Sequence, residues 1–209
     1  MPKVLDHILY AGPDRDGMIE DFARLSGVRA GIGGVHPGLG THNALVSLGP
    51  HCYFELIATD PAQDVPGSMG DLFRRYDSPR LFAYMVRASD LEGIRDVLAE
   101  QGIAADLFAA SRQTPDGRTL RWRLLMPDDN RFGNCLPKFI DWLDTPLPGG
   151  SAVPGCSLID FHVGHPDAHA LSELLGRLDI AIDLAAADRP CLRARLRTPN
   201  GVLIMNSAF

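Results

Sequence analysis

Residues 5–14, LDHILYAGPD, decide how the rest of the chain is read. An apolar-rich run ends at Gly-Pro-Asp, and the residues that follow place Ile19, Phe22, Ala23 and Leu25 on one side of a helix. That change of period marks a strand handing over to a helix. Residues 3–11 are therefore expected as a strand, 14–26 as a helix, and 41–49 and 52–60 as two more strands. The same order returns at Leu81. LFAYMVRA reads as a strand, Ser89-Asp90 caps a helix over LEGIRDVLAEQG, and Gly102 stops it. TLRWRLLMP (119–127) and LPKFIDWL (136–143) follow as strands. A third round runs through SLIDFHVGHPD (157–167), the helix AHALSELLGRLD (168–179), and the strands IAIDLAAA, CLRARLRT and GVLIMNS, with turns at Arg189-Pro190 and Pro199-Asn200-Gly201.

Pro13-Asp14, Ser89-Asp90 and Pro166-Asp167 lie at nearly equal distances from their strand starts, which a chance alternation of strands and helices would not produce. The chain is thus expected to be α+β, with three βαβββ-like units. TPLPGGSAVPG (145–155) is the strongly Pro/Gly-rich stretch, so the expected division is paired units over 1–145, a linker over 146–156, and a third unit over 157–209 docked on the first two.

Composition narrows the functions. The chain has 209 residues, 45% hydrophobic and 22% charged, enough apolar material for a sizeable core. Its net charge of −6 leaves no surplus of cations to neutralise a run of phosphates, so nucleic acid is not an expected partner. No apolar run approaches the roughly 20 residues that span a bilayer, so no membrane association is expected. The four cysteines (Cys52, Cys135, Cys156 and Cys191) form no CxxC pair, and the chain opens without a leader-like pattern. A reduced, cytoplasmic setting is expected. Eighteen arginines stand against two lysines, Lys3 and Lys138.

The repeated βαβββ order, with LDHILYAGPD at its start and YFELIA closing the first unit, resembles the vicinal oxygen chelate superfamily of glyoxalase I, extradiol dioxygenases and fosfomycin and bleomycin resistance proteins. GGVHPGLGTHNALVSLG (33–49), SRQTPDGRTLRWRL (111–124) and LPKFIDW (136–142) are similar to motifs of its glyoxalase-like domain family. The resemblance implies an open mixed/antiparallel β-barrel cleft flanked by helices, with a divalent ion held from the first and fourth strands of each unit. Carried onto this chain, the first-strand ligand is His7 and the fourth-strand ligand Glu55, the latter doubling as catalytic base. Strand alternation agrees, since Leu5, His7 and Leu9 share one face and Tyr53, Glu55 and Ile57 another. An imidazole and a carboxylate suit Zn, Ni, Mn or Fe. The other half departs from the pattern. Aligned punctuation sets Ala83 and Asp160 opposite His7, and Met205 of the third unit opposite Glu55, with Asp141 offered as the corresponding late-strand position of the second. Asp141, Asp160 and His162 are the remaining candidates to complete the set, and the alternative is a metal-free pair lining a pocket.

Three further constellations bear on binding. His36 and His42 bracket the turn PGLGT (37–41), and one of His42 and Asn43 faces inward to orient a substrate. In RWR, either Arg121 and Arg123 enter the cleft and grip an anion, or Trp122 does and forms a stacking wall. His162, His165 and His169 are spaced as a helical metal pair would be, but their segment reads as a strand ending at Gly164, so His162 and His165 face opposite sides and His169 lies in the following helix. The chain lacks GxSxG, and GIGG (31–34) lacks the spacing of a dinucleotide fingerprint. Two functions remain: a metal-dependent lyase or isomerase acting on a small oxygenated molecule, or a metal-free module that sequesters a small molecule in the same cleft. A homodimer is the expected assembly.

Overall fold

The computed structural model describes residues 3–113, 117, 119–129 and 131–207. Among them are twelve strands and four α-helices. The first unit comprises β1 (Val4–Gly12), α1 (Arg15–Ser26), β2 (Gly31–His36), β3 (Thr41–Ser47) and β4 (Tyr53–Thr59). A short helix, α2 (Met69–Arg74), leads to the second: β5 (Arg80–Arg87), α3 (Leu91–Glu100), β6 (Ala104–Gln113), β7 (Thr119–Asp128) and β8 (Lys138–Asp141). The third segment holds β9 (Ser157–His165), α4 (Ala168–Arg177), β10 (Asp183–Ala186), β11 (Cys191–Thr198) and β12 (Gly201–Asn206).

Local chemistry sets these boundaries. The Asp14 carboxylate accepts from the Asp16 amide at the start of α1, and Gly27, at φ 79°, closes it. Asp90 caps α3 by accepting from the Gly93 amide at 2.9 Å. At α4 the corresponding Asp167 makes no side-chain cap and instead takes the Arg131 guanidinium.

The first two units form one eight-stranded sheet in the order β2-β3-β4-β1-β5-β8-β7-β6. Within each unit the first strand runs parallel to the last, and the units meet where β1 runs antiparallel to β5. The order reads the same from either end, so a pseudo-two-fold relates β1 to β5, β4 to β8, β3 to β7 and β2 to β6. The sheet curls into an open half-barrel whose edge strands approach each other, the Arg112 guanidinium on β6 donating to the Gly33 carbonyl on β2 at 2.8 Å.

Two apolar layers hold the curl. On the convex side Met18, Ile19 and Phe22 of α1 and Leu91, Ile94 and Leu98 of α3 pack on Ile8, Phe54, Tyr84 and Phe139. Fully burying a ring such as Phe54 stabilises by roughly 1.5–3 kcal/mol. The concave side carries a smaller cluster around Leu9, Phe73, Met85, Trp122 and Trp142.

The third segment repeats the βαβββ order but not the pairing. Its sheet runs β10-β9-β11-β12, so its first strand lies between the second and third strands. Its buried face joins the convex layer, with Phe161 tilted against Tyr84 at 5.0 Å. The Pro/Gly-rich stretch is packed too: the Ser47 amide donates to the Val153 carbonyl at 2.8 Å, and Ala152 and Leu147 lie against the concave cluster. No helix among the described residues is long and apolar enough to cross a membrane.

Candidate active site

The concave face encloses a cavity of about 620 Å³ including its open mouth. Strands β1 and β3 to β8 except β6 line it from alternate positions: His7 and Leu9, Asn43 and Leu45, Tyr53, Glu55 and Ile57, Met85, Trp122 and Leu124, Lys138 and Ile140. The edge strands add His36 and Arg112, and Leu39, Met69, Met126, Trp142 and Pro148 complete the wall. Among the described residues none that lines it lies beyond Pro148, so those of the third segment contribute none.

His7 is the centre of the polar pole. A bulge shifts the β1–β5 register between Leu5 and His7. Consecutive strand residues ordinarily face opposite ways, yet here the Asp6 carboxylate lies 2.7 Å from His7 Nδ1. Asp6 is 2% exposed, with Trp142 Nε1 donating to both its oxygens at 3.2 Å and Arg87 Nε 3.7 Å away. An ionised carboxylate only accepts, so Nδ1 carries the proton and donates it. Nε2 is thereby turned toward Glu55, whose Oε2 is 3.4 Å distant. The Tyr53 ring stacks on His7 with centroids 4.4 Å apart, and burial holds its phenol well above the usual range, hence neutral.

Glu55 is held by Asn43, whose Nδ2 donates to Oε1 at 2.6 Å. The Asn43 amide has one workable orientation, because its Oδ1 accepts from the Gly34 amide at 2.9 Å. Asn43 reaches there only because residue 33 is glycine: a Cβ at that position would stand 2.2 Å from Oδ1. His36 finishes the chain. Its Nδ1 lies 2.9 Å from the Thr41 hydroxyl and its Nε2 3.3 Å from Asn43 Nδ2. Nδ2 is a donor, so Nε2 accepts and the ring is neutral. Burial pushes the His36 pKa down, which agrees, with the Glu55 charge opposing.

The two-fold supplies a direct comparison. His7 pairs with Met85 and Leu9 with Ala83, so the symmetry carries His7 onto Ala83 and Leu9 onto Met85. Leu9 is level with Glu55 on β4, and Met85 is level with Lys138 on β8. The counterpart of Glu55 is therefore Lys138. This corrects the sequence reading, which offered Asp141, three residues further along β8, for that place in the second unit. Met205, set opposite Glu55 in the third, is buried on β12, paired with Ala194.

The remaining candidates fall as follows. Asn43 faces the cavity, and His42 lies on the other face, where burial and Arg15 push its pKa down. Trp122 enters the cavity and packs on Trp142 at 5.4 Å. Arg121 and Arg123 do not line it: Arg121 is exposed, and Arg123 is taken by Glu92 at 2.6 Å and Asp141 at 2.9 Å. Asp141 is thus on the far face of β8. Asp160 is bound to Arg195, and His162 lies 2.9 Å from Asp183 on the third sheet. The structure brings none of these three to His7 and Glu55. Of the motif 111–124, residues 114–116 and 118 lie outside the described residues.

The donor set does not fit a divalent ion. His7 and Glu55 supply two ligands, while the symmetry-related places hold an alanine methyl and a lysine ammonium, neither of which can bind a cation. His36 spends its one lone pair on Asn43. Among the described residues no group of three or more His, Cys, Asp or Glu is disposed to hold a metal.

Paired βαβββ units curled around a cleft are the fold of the vicinal oxygen chelate proteins. The glyoxalase-like domain family matches residues 5–178, and the chain belongs to that family. Among solved structures, a hypothetical protein from Staphylococcus aureus is 18% identical, with a TM-score of 0.61 over 97% of this chain and 84% of that one. A methylmalonyl-CoA epimerase from Streptomyces coelicolor is 16% identical, with a TM-score of 0.50 over 70% of this chain and 99% of that one. At such identities the likeness is one of fold. No curated protein matches the sequence.

Proposed function

We propose that the cleft is the active site of an isomerase or lyase that moves a proton on a small oxygenated molecule. The observation that carries this is the His7 imidazole, pinned through Nδ1 by Asp6 at 2.7 Å and facing the Glu55 carboxylate across 3.4 Å within an otherwise largely apolar cavity. Two basic groups, each fixed by a neighbour and spaced more widely than a good hydrogen bond, leave room for a substrate oxygen or a transferred proton between them. Glu55 takes the proton from carbon as the electron pair passes to the neighbouring carbonyl oxygen, and the lone pair of His7 Nε2 carries the proton of the adjacent hydroxyl across to that oxygen before Glu55 returns its own to carbon. Arg112, a buried cation whose pKa burial pushes down from its ordinary value with the Glu55 charge opposing, offsets charge developing at this pole. The donor set gives no ground for routing a step through a metal.

The test is exchange of substrate C–H for deuterium, followed by NMR in D₂O over a panel of 2-oxoaldehydes, 2-hydroxyketones and 2-hydroxy acids. At least one compound is expected to exchange with the wild type, and Glu55→Gln is expected to slow that exchange by at least about 10²-fold. An undiminished rate in Glu55→Gln would refute the assignment. A second reading, sequestration without turnover, is favoured by the apolar walls formed by Leu45, Ile57, Trp122, Leu124 and Trp142. Tight binding with no exchange from any compound would select it.

A further inference from the structure

We propose that Lys138 is the anion-binding residue of the cavity and that the ligand is a small monocarboxylate, its carboxylate on Lys138 and its reacting oxygen at His7 and Glu55. The proposal deepens the proton-transfer reading in naming a ligand class, although the carboxylate contact itself does not depend on turnover. Lys138 is 8% exposed and lines the same cavity as His7. Among the described residues it has no carboxylate partner. Its Nζ donates to Asn134 Oδ1 at 3.1 Å and lies 5.6 Å from the Phe82 ring centroid.

A buried ammonium has three donors to satisfy and a charge to offset. One amide oxygen and an aromatic face leave both tasks incomplete. A carboxylate entering from the cavity completes them, and a neutral amide in its place would not.

Register gives the length of the ligand. His7, Met85 and Lys138 stand level on β1, β5 and β8, so His7 and Lys138 are two strand spacings apart. That is roughly 10 Å between backbones. Both side chains reach inward over Met85, so a chain of a few carbons bridges them. The apolar wall beside Lys138, formed by Leu124, Met126 and Ile140, suits a hydrocarbon segment rather than a second charged group.

The experiment uses hexanoate and its uncharged isostere hexanamide. With only two lysines in the chain, protein labelled at lysine Nζ with ¹⁵N gives two side-chain signals, from Lys3 and Lys138. Wild type is expected to bind hexanoate at least about ten-fold more tightly than hexanamide, the usual worth of a hydrogen bond to a charged group. Hexanoate alone should move the Lys138 Nζ resonance. Lys138→Met should bind both probes with the affinity of the amide, and Lys138→Arg should keep the preference. Equal affinity of wild type for the two probes, an unmoved Nζ signal, or a preference that persists in Lys138→Met overturns the proposal. Hexanoate has no oxygen to react at His7, so absence of deuterium exchange in the panel would count against the proton-transfer reading and leave this contact standing.

Discussion

On β1 and β4 the cavity presents His7 and Glu55; at the positions to which the two-fold carries them, on β5 and β8, stand Ala83 and Lys138. One neighbouring strand repeats the contrast. Asn43 pairs with Ile57 and Leu124 with Ile140, so the amide that holds Glu55 has a leucine as its counterpart. The first half is polar and braced, each functional group fixed by a second side chain. The second half is apolar with two buried cations, Lys138 on β8 and Arg112 on the edge strand β6. Strand pairing therefore fixes where side chains converge, and the identity of those side chains decides whether the place is a metal site, a proton-transfer pair or an anion pocket.

The strongest way to break this comparison is to make the halves alike. Ala83→His combined with Lys138→Glu places a second imidazole and carboxylate at the related positions and is expected to bring uptake of about one zinc ion per chain, measured by elemental analysis. Zinc sites of this kind hold their ion by roughly 10 kcal/mol or more. Wild type dialysed against a chelator should lose neither thermal stability nor activity. Metal-free behaviour of the double variant would mean that the two-fold does not relate these positions as described.

Next in size are the groups of the polar half. Glu55→Gln and His7→Ala are each expected to slow deuterium exchange by about 10²–10⁴-fold, the usual share of a positioned acid or base, with the fold intact by circular dichroism. Retained rates would move the chemistry elsewhere in the cavity.

Lys138 gives a pH signature. Burial pushes its amine, ordinarily near 10.5, down to about 8. Between these values the unfolded chain binds a proton that the folded chain does not, so stability rises as pH climbs from about 8 to about 10.5, and below 8 the full cost of burying the charge is felt. Lys138→Met should therefore be more stable than wild type at pH 7 by on the order of 2–3 kcal/mol, and the gap should close by about pH 10.5. Denaturant titrations at the two pH values measure it, and a gap independent of pH would rule out the buried ammonium as its source.

The smallest effects belong to the third sheet. Asp160→Asn and His162→Ala remove partly exposed ion pairs with Arg195 and Asp183, and they should leave both melting temperature and exchange rate within error. A loss of exchange in either would bring the third segment into the site.

Much of this organisation was legible in the sequence. Alternation identified β1, β3, β4 and β5, and the resemblance to the vicinal oxygen chelate proteins singled out His7 and Glu55 as facing a common cleft. The edge strands β2 and β6 and the helix α2 escaped notice. GIGGVH has too many glycines, and ADLFAASRQ too few β-branched residues, to announce strands on their own; pairing with β3 and β7 makes them so. Asp6 was missed because strict alternation turns it away from His7, and the bulge that brings it back has no signal in the residues. The choices between His42 and Asn43, and between Trp122 and its flanking arginines, depend on which face of the strand meets the cleft, which only the register decides. Lys138 as the mate of Glu55 needed the register of four strands at once.

One bond described earlier bears on how this site can change over time. The Arg112 guanidinium ties β6 to β2 through the carbonyl of Gly33, a group that every residue possesses. No replacement at residue 33 can delete that acceptor, and the glycine itself is needed to admit Asn43. The side-chain half of this bond accordingly depends on the codon of Arg112, and a change there would loosen the rim and withdraw the cation beside Glu55 in one step.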